Sequence, residues 1–351
     1  MGAAERDQDG HIAALKQVAA QFAVAVTPHL QSLIDPADPQ DPIARQFLPD
    51  AAELQTRPQE SGDPIGDGAH APVPGIVHRY PDRVLLKLVN VCPVYCRFCF
   101  RRETVGPGSK GLSADQLDTA IAYIAGRPAI WEVILTGGDP LIVSPRRLRD
   151  VIARLGAIPH LGVIRIHSRV PVVDPDRITP DLVDALKTAG GRDGKALWLL
   201  LHANHAREFV PAARAAIARL VDAGIPVLGQ SVLLRGVNDS PAALTDLFRA
   251  MVSNRVKPHY LHHGDLARGT GHFRLSLREG QDLMRRLRGH VSGLLQPTYI
   301  LDIPGGHGKV PVGPVYAVPA ADGGGWTVSD PWGCSHAYAD PGIDPVAGPD
   351  T

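Results

Sequence analysis

Cys92, Cys96 and Cys99 stand in C-x3-C-x2-C spacing within "CPVYCRFCFRRE" (92–103), and the chain has only four cysteines. Three thiolates on so tight a loop can cap one face of a metal centre. A cuboidal iron–sulfur cluster takes four protein ligands, usually cysteines, so three would leave one iron open to another ligand. A zinc ion would need a fourth ligand, which a nearby histidine could supply. A set of buried free thiols is the plainer alternative. Cys334 lies far away in the sequence and reads as a lone thiol. A second unusual feature is "DIPGGHGKVP" (302–311), a glycine-rich segment that ends on Lys309. It lacks the G-x4-GK[ST] spacing and following helix of a P-loop.

These residues need elements to carry them. From residue 84, short apolar runs alternate with segments of helical period. The expected strands are 84–90, 131–136, 162–167, 197–202, 225–234 and 257–263, with a seventh run at 297–302. Ser113 followed by Gln116 has capping-box spacing and opens one intervening helix. Six β–α units in a row imply a parallel sheet with right-handed crossovers. The cysteine loop follows the first strand, "TGGDP" the second, "HSR" the third and "HANH" the fourth. Gln230 lies in the fifth and "HHGD" ends the sixth. Strand C-termini are where α/β barrels build their sites.

The rest of the chain is less regular. Residues 1–57 read as a helical extension, with 11–34 the best helical stretch, and 58–83 as a Gly/Pro/Asp-rich linker. The barrel is expected over 84–315 and a tail over 316–351, loose except that "WTVSDPWGC" could pack as an arm. The 351 residues are 44% apolar with zero formal net charge, so no basic field argues for nucleic acid. No apolar run approaches the roughly 18 residues of a membrane span. The polar "MGAAERDQDG" suits neither a secretory signal nor myristoylation. Cytoplasm is the expected location, where clustered cysteines bind metal or do redox chemistry.

C-x3-C-x2-C after the first strand of a β–α barrel resembles the radical S-adenosylmethionine enzymes. "DPIGD", "PGIVHRYPDR", "CRFCFRR", "LTGGDPL", "SVLLRGVND", "DLARGTGHFR", "RGHVSG" and "IPGGHGKVP" together resemble the lysine 2,3-aminomutase family over roughly 53–315. The resemblance implies a partial (β/α)6 TIM-like barrel, with an N-terminal helical extension and a C-terminal arm. It implies a [4Fe–4S] cluster on Cys92, Cys96 and Cys99, whose open iron chelates S-adenosylmethionine. Gly137, Gly138 and Asp139 match the family segment beside that ligand, two glycines letting backbone approach it. His202 and Gln230 match residues near it.

Lys309 matches the lysine that joins pyridoxal 5′-phosphate through a Schiff base. Arg79 and Arg83, with Tyr80 between them, are suited to the phosphate, and Arg169 could assist. Arg101 matches the arginine that binds the substrate carboxylate, Asp265 and Asp302 the pair that holds a lysine ammonium. The implied reaction converts L-lysine to β-lysine. An electron passes from the reduced cluster to S-adenosylmethionine, the resulting 5′-deoxyadenosyl radical takes hydrogen from C3, and nitrogen moves from C2 to C3. Alternatives are an aminomutase serving elongation factor P, or one acting on arginine. A one-electron reductant such as flavodoxin or ferredoxin, a small amino-acid substrate and a homo-oligomer are the expected partners. The family's C-terminal zinc cysteines are not reproduced by Cys334 alone, which puts that zinc in doubt.

Overall fold

Seven parallel strands form the centre of the computed structural model, which describes residues 3–109, 111–188, 194–321 and 325–339. They are β2 (Arg83–Val89), β3 (Glu132–Gly137), β4 (Val163–Ser168), β5 (Ala196–His202), β6 (Val227–Val232), β7 (Lys257–His262) and β8 (Thr298–Asp302). An antiparallel strand lies on each edge: β1 (Ile76–Tyr80) on β2, and β9 (Lys309–Pro311) on β8. Spatial order equals chain order, as consecutive β–α units require. The sheet curls into a partial barrel.

Period-2 alternation decides which residues look inward. Val84, Leu86 and Leu88 of β2, Ile164 and Ile166 of β4, and Leu199 and Leu201 of β5 are buried among apolar helix residues such as Leu117, Ile124, Leu148 and Val151. The intervening positions, Arg165, His167, Leu200 and His202 among them, face the inside of the curl. Helix starts follow ordinary capping chemistry. Ser113 and Gln116 form the expected capping box at the head of Ala114–Ala125. Proline at the first turn, where its missing N–H costs nothing, opens Pro145–Gly156, Pro211–Asp222 and Pro241–Ser253.

Three expectations need correction. The linker over 58–83 contains β1, paired to β2 across Tyr80 and Arg83 with Pro81 and Asp82 as the turn. The helical stretch at 11–34 is two helices, Ala3–Gln21 and Pro28–Gln31, because Pro28 suits a first turn and Thr27 caps it. The tail is not loose over its described residues, 316–321 and 325–339. It forms a small antiparallel sheet of β10 (Ala317–Pro319), β11 (Trp326–Ser329) and β12 (Ser335–Tyr338). The expected tail beyond 339 lies outside the described residues.

Among the described residues, β1 and β9 do not pair with each other, so strand hydrogen bonds do not close the barrel. The segment before β1 spans the gap instead. Gly305 N donates to Pro64 O (3.3 Å), and His70 Nε2 lies 3.1 Å from Gly306 O. Lys309 N donates to Tyr80 Oη at 2.8 Å.

Candidate active site

One cavity of about 560 Å³ opens inside the curl. Its walls include every residue that the resemblance assigned to the site: Cys92, Cys96, Cys99, Gly137, Gly138, Asp139, Arg79, Tyr80, Arg83, Arg101, Arg169, His202, Gln230, Asp265, Asp302 and Lys309. Strand alternation also brings Glu132, Arg165, His167, Tyr260 and His262 to the same wall. His167 and His262 stood in the strand-end segments "HSR" and "HHGD" without an assigned role, and sequence reasoning missed Glu132, Arg165 and Tyr260. The signal was present as polar residues alternating with apolar ones in "VIRIHS" and "KPHYLH".

Burial raises all three cysteine thiols. Cys92 is raised further by Asp139 and by its sister cysteines, and Cys99, at about 11, by Cys96. Arg169 partly offsets the rise at Cys96. Three thiolates cannot share such a place without a cationic partner, so the donor set suits a metal centre. Among the described residues, no three His, Cys, Asp or Glu side chains converge on a point that would hold one metal ion. The thiols line a wall of the cavity instead of caging a single ion.

The two glycines also meet a structural requirement of the fold. A Cβ on Gly137 would lie 2.3 Å from Val89 O, and one on Gly138 2.1 Å from Val91 O. Gly138 N donates to Val89 O (2.6 Å) and Asp139 N to Val91 O (3.0 Å). The end of β3 therefore crosses directly over the backbone leading into Cys92. Glycine is needed for that crossing, and Gly137 also takes φ 112°. The Asp139 carboxylate is buried and turned to the scaffold. It accepts from Leu141 N, Ser168 Oγ (2.8 Å) and Arg169 N (2.7 Å), tying the ends of β3 and β4 together.

Arg169 lies at the cysteine end of the cavity. Its Nη1 donates to Cys96 Sγ (3.2 Å), and its Nη2 donates to Glu208 Oε2 (2.8 Å) and Gln46 Oε1 (2.5 Å). Its Nε is buried without a hydrogen-bond partner. His202 is held neutral by burial, with the Arg169 charge adding to that effect, and its Nε2 lies 3.2 Å from Asn204 Oδ1.

At the other end, Lys309 pairs with Asp302 across β8 and β9, Nζ lying 2.5 Å from both carboxylate oxygens. Burial raises the Asp302 carboxyl, but the His262 ring, its Nδ1 3.6 Å from Oδ2, and the Lys309 charge more than offset it, leaving a pKa of about 2. Asp265 differs. Burial and the nearby Asp302 charge push it up to about 7, against Lys309, Arg101 and Arg274. Its Oδ1 is buried without a hydrogen-bond partner. Arg79 Nε is likewise buried and unpartnered. An orphaned acceptor suits a bound cation and an orphaned donor a bound anion. Asp67, which sequence reasoning passed over inside "DPIGD", accepts from Arg101 Nε (3.1 Å) and Nη2 (2.9 Å) and from Arg79 Nη2 (3.3 Å).

The chain matches the "Radical SAM superfamily" model over residues 86–248 and the "Lysine-2,3-aminomutase" model over 284–324. It is 43% identical over 302 residues to L-lysine 2,3-aminomutase of Clostridium subterminale, covering 86% of this chain and 71% of that one. The chain belongs to the lysine 2,3-aminomutase family of radical S-adenosylmethionine enzymes. The family's cofactors are a [4Fe–4S] cluster, S-adenosylmethionine and pyridoxal 5′-phosphate. Other members are an L-lysine 2,3-aminomutase of Escherichia coli, 38% identical over 83% of each chain, and a glutamate 2,3-aminomutase of Clostridioides difficile, 36% identical over 87% of this chain and 71% of that one. Family membership alone therefore does not decide between a cationic and an anionic substrate.

Proposed function

We propose that this enzyme converts L-lysine to β-lysine by a 2,3-amino shift. The observation that carries the reading is the carboxylate pair: Asp265 and Asp302 face the cavity that also holds the cysteines and Lys309. Two carboxylates, one with a buried unpartnered oxygen, suit a long side chain ending in an ammonium and oppose a glutamate carboxylate. Arg101, its Nε and Nη2 engaged by Asp67 and its Nη1 donating to Thr136 Oγ1 at 3.4 Å, has the second Nη1 hydrogen left for the substrate carboxylate.

In this reading Cys92, Cys96 and Cys99 hold the cluster. Gly137, Gly138, Asp139, His202 and Gln230 shape the S-adenosylmethionine side of the cavity. Lys309 carries pyridoxal 5′-phosphate, whose phosphate takes Arg79, Tyr80 and Arg83. Once bound, the cluster and S-adenosylmethionine supply a radical initiator, and the coenzyme supplies the conjugated ring that carries the migrating amino group. The protein orients the substrate by its two charged ends and screens the reacting carbon from water. Neutral His167 and His262, both kept so chiefly by burial, add no further cation beside the substrate ammonium.

A low-potential one-electron donor such as a flavodoxin or ferredoxin supplies the electron, and the enzyme works in the cytoplasm. No helix among the described residues is long and apolar enough to cross a membrane. Exposed Val315, Val318, Trp332 and Tyr338 in and near the small C-terminal sheet support a homo-oligomer. Anaerobic incubation with lysine, S-adenosylmethionine, pyridoxal phosphate and a reductant, followed by amino-acid analysis, tests the reading. β-Lysine is expected. Turnover of glutamate or arginine in its place would overturn the substrate assignment.

A further inference from the structure

The three cysteines meet different donors. Burial raises the Cys92 and Cys99 thiols, and the neutral backbone of Asp139 and Arg101 beside them offsets part of that rise. Cys96 Sγ is met by the Arg169 guanidinium, through Nη1 at 3.2 Å. Arg169 is 5% exposed and is held on several sides. Nη2 donates to Glu208 and Gln46, the backbone N–H donates to Asp139, and the guanidinium lies 4.6 Å over the Phe47 ring. Glu208 is itself fixed, its Oε1 accepting from Asn204 N (2.8 Å) and His205 N (2.9 Å). Such a clamp aims one N–H of a permanent cation at one sulfur.

We propose that Arg169 is a redox-tuning residue, donating to the Cys96 sulfur and raising the reduction potential of the cluster. The inference rests on reading Cys92, Cys96 and Cys99 as cluster ligands. The step concerned is [4Fe–4S]2+ to [4Fe–4S]+, with one electron from a low-potential donor. No bond to Cys96 forms or breaks, and the proton stays on Arg169. The added electron makes the ligand sulfurs more negative, so a hydrogen bond to one of them stabilises the reduced form more than the oxidised form. Glu208 sits on the other terminal nitrogen. The pair is neutral overall, yet its positive end meets the sulfur.

That neutrality permits a clean test. Arg169→Gln combined with Glu208→Gln removes the hydrogen-bonded cation without stranding a buried charge. Arg169→Lys keeps the charge but loses the fork. Both are made as full-length protein, reconstituted anaerobically and titrated with dithionite under electron paramagnetic resonance. The double variant should retain the parent's iron and sulfide and show a more negative midpoint. At a fixed potential its reduced-to-oxidised ratio should fall about tenfold, which is about 59 mV for one electron. The lysine variant should fall between the two. An unchanged midpoint at full iron content would overturn the proposal. So would loss of iron and sulfide from both variants, since Arg169 would then be holding the loop and not tuning the cluster. A parent that binds no iron is a different failure and would sink the reading of the cysteines.

Discussion

Asp265 ties substrate binding to pH. Burial, then the Asp302 charge, raises its carboxyl to about 7. An ammonium binds the deprotonated form, so below pH 7 binding must first expel a proton. Lysine affinity should therefore fall by about tenfold per pH unit below 7 and level off above it. Calorimetry on coenzyme-loaded protein without S-adenosylmethionine measures this, and Asp265→Asn should bind more weakly with a flat profile. A falling affinity above pH 7 would contradict the assignment. Asp67 makes a second case. It is buried and shared by Arg79 and Arg101, so Asp67→Asn should loosen both. We expect lysine binding to weaken by about 1.5–3 kcal/mol, the scale of a charged hydrogen bond, with coenzyme release quickened and iron content unchanged. Borohydride treatment and peptide mapping should fix the coenzyme on Lys309, not on Lys87 or Lys257. Asp67 was illegible in the sequence because a glycine-rich stretch makes every aspartate look like a turn residue. Only the fold shows it touching two arginines 12 and 34 residues away.

At the scale of elements, the cysteine loop is anchored from below by a buried ionic group. Glu53 accepts from Arg97 Nε at 2.9 Å and Nη2 at 2.5 Å, and from Arg102 Nη2. Arg97 Nη1 reaches Ala23 O at 2.7 Å, so the group also holds the N-terminal extension against the loop. Glu53→Gln would leave two guanidiniums buried without their carboxylate. Denaturant melts should show a loss of about 3–5 kcal/mol, with reduced iron retention. A loss under 1 kcal/mol would mean the group relaxes into solvent. The parallel strands were readable because both of their faces are constrained. Apolar alternation marks the helix side, and the odd polar residues at strand ends mark the cavity. β1 was not readable as a strand, since its flanks are proline-, glycine- and aspartate-rich. Its evidence was the two-residue Pro81-Asp82 turn that pairs Tyr80 with Arg83. The Glu53 network was equally hidden, because its members lie 44 and 49 residues apart in segments of different period.

The whole molecule divides its work across the curl. One end holds the cysteines, Arg169, Glu208 and the Glu53 group. The other holds Lys309, Asp302, Arg79 and Arg101 where the two sheet edges approach. The second end depends on a loop, since β1 and β9 leave the barrel unclosed, and that loop carries Asp67. Gly66 packs against the Gly305–Gly306 backbone. It takes φ 66°, and a Cβ there would lie 2.7 Å from the carbonyl carbon of Gly305. Gly66→Ala must therefore push the 63–68 segment away from Gly305 and Gly306, at a strain cost of about 1–3 kcal/mol. The damage should stay at one end. Coenzyme and lysine should both bind more weakly, because Asp67 no longer holds Arg79 and Arg101 in place. Iron, sulfide and the cluster's spectrum should match the parent, because the cysteine end is braced by Glu53, Asp139 and Arg169 instead. Equal loss of cluster and coenzyme would show that the barrel behaves as one cooperative unit and that its two ends are not separately supported.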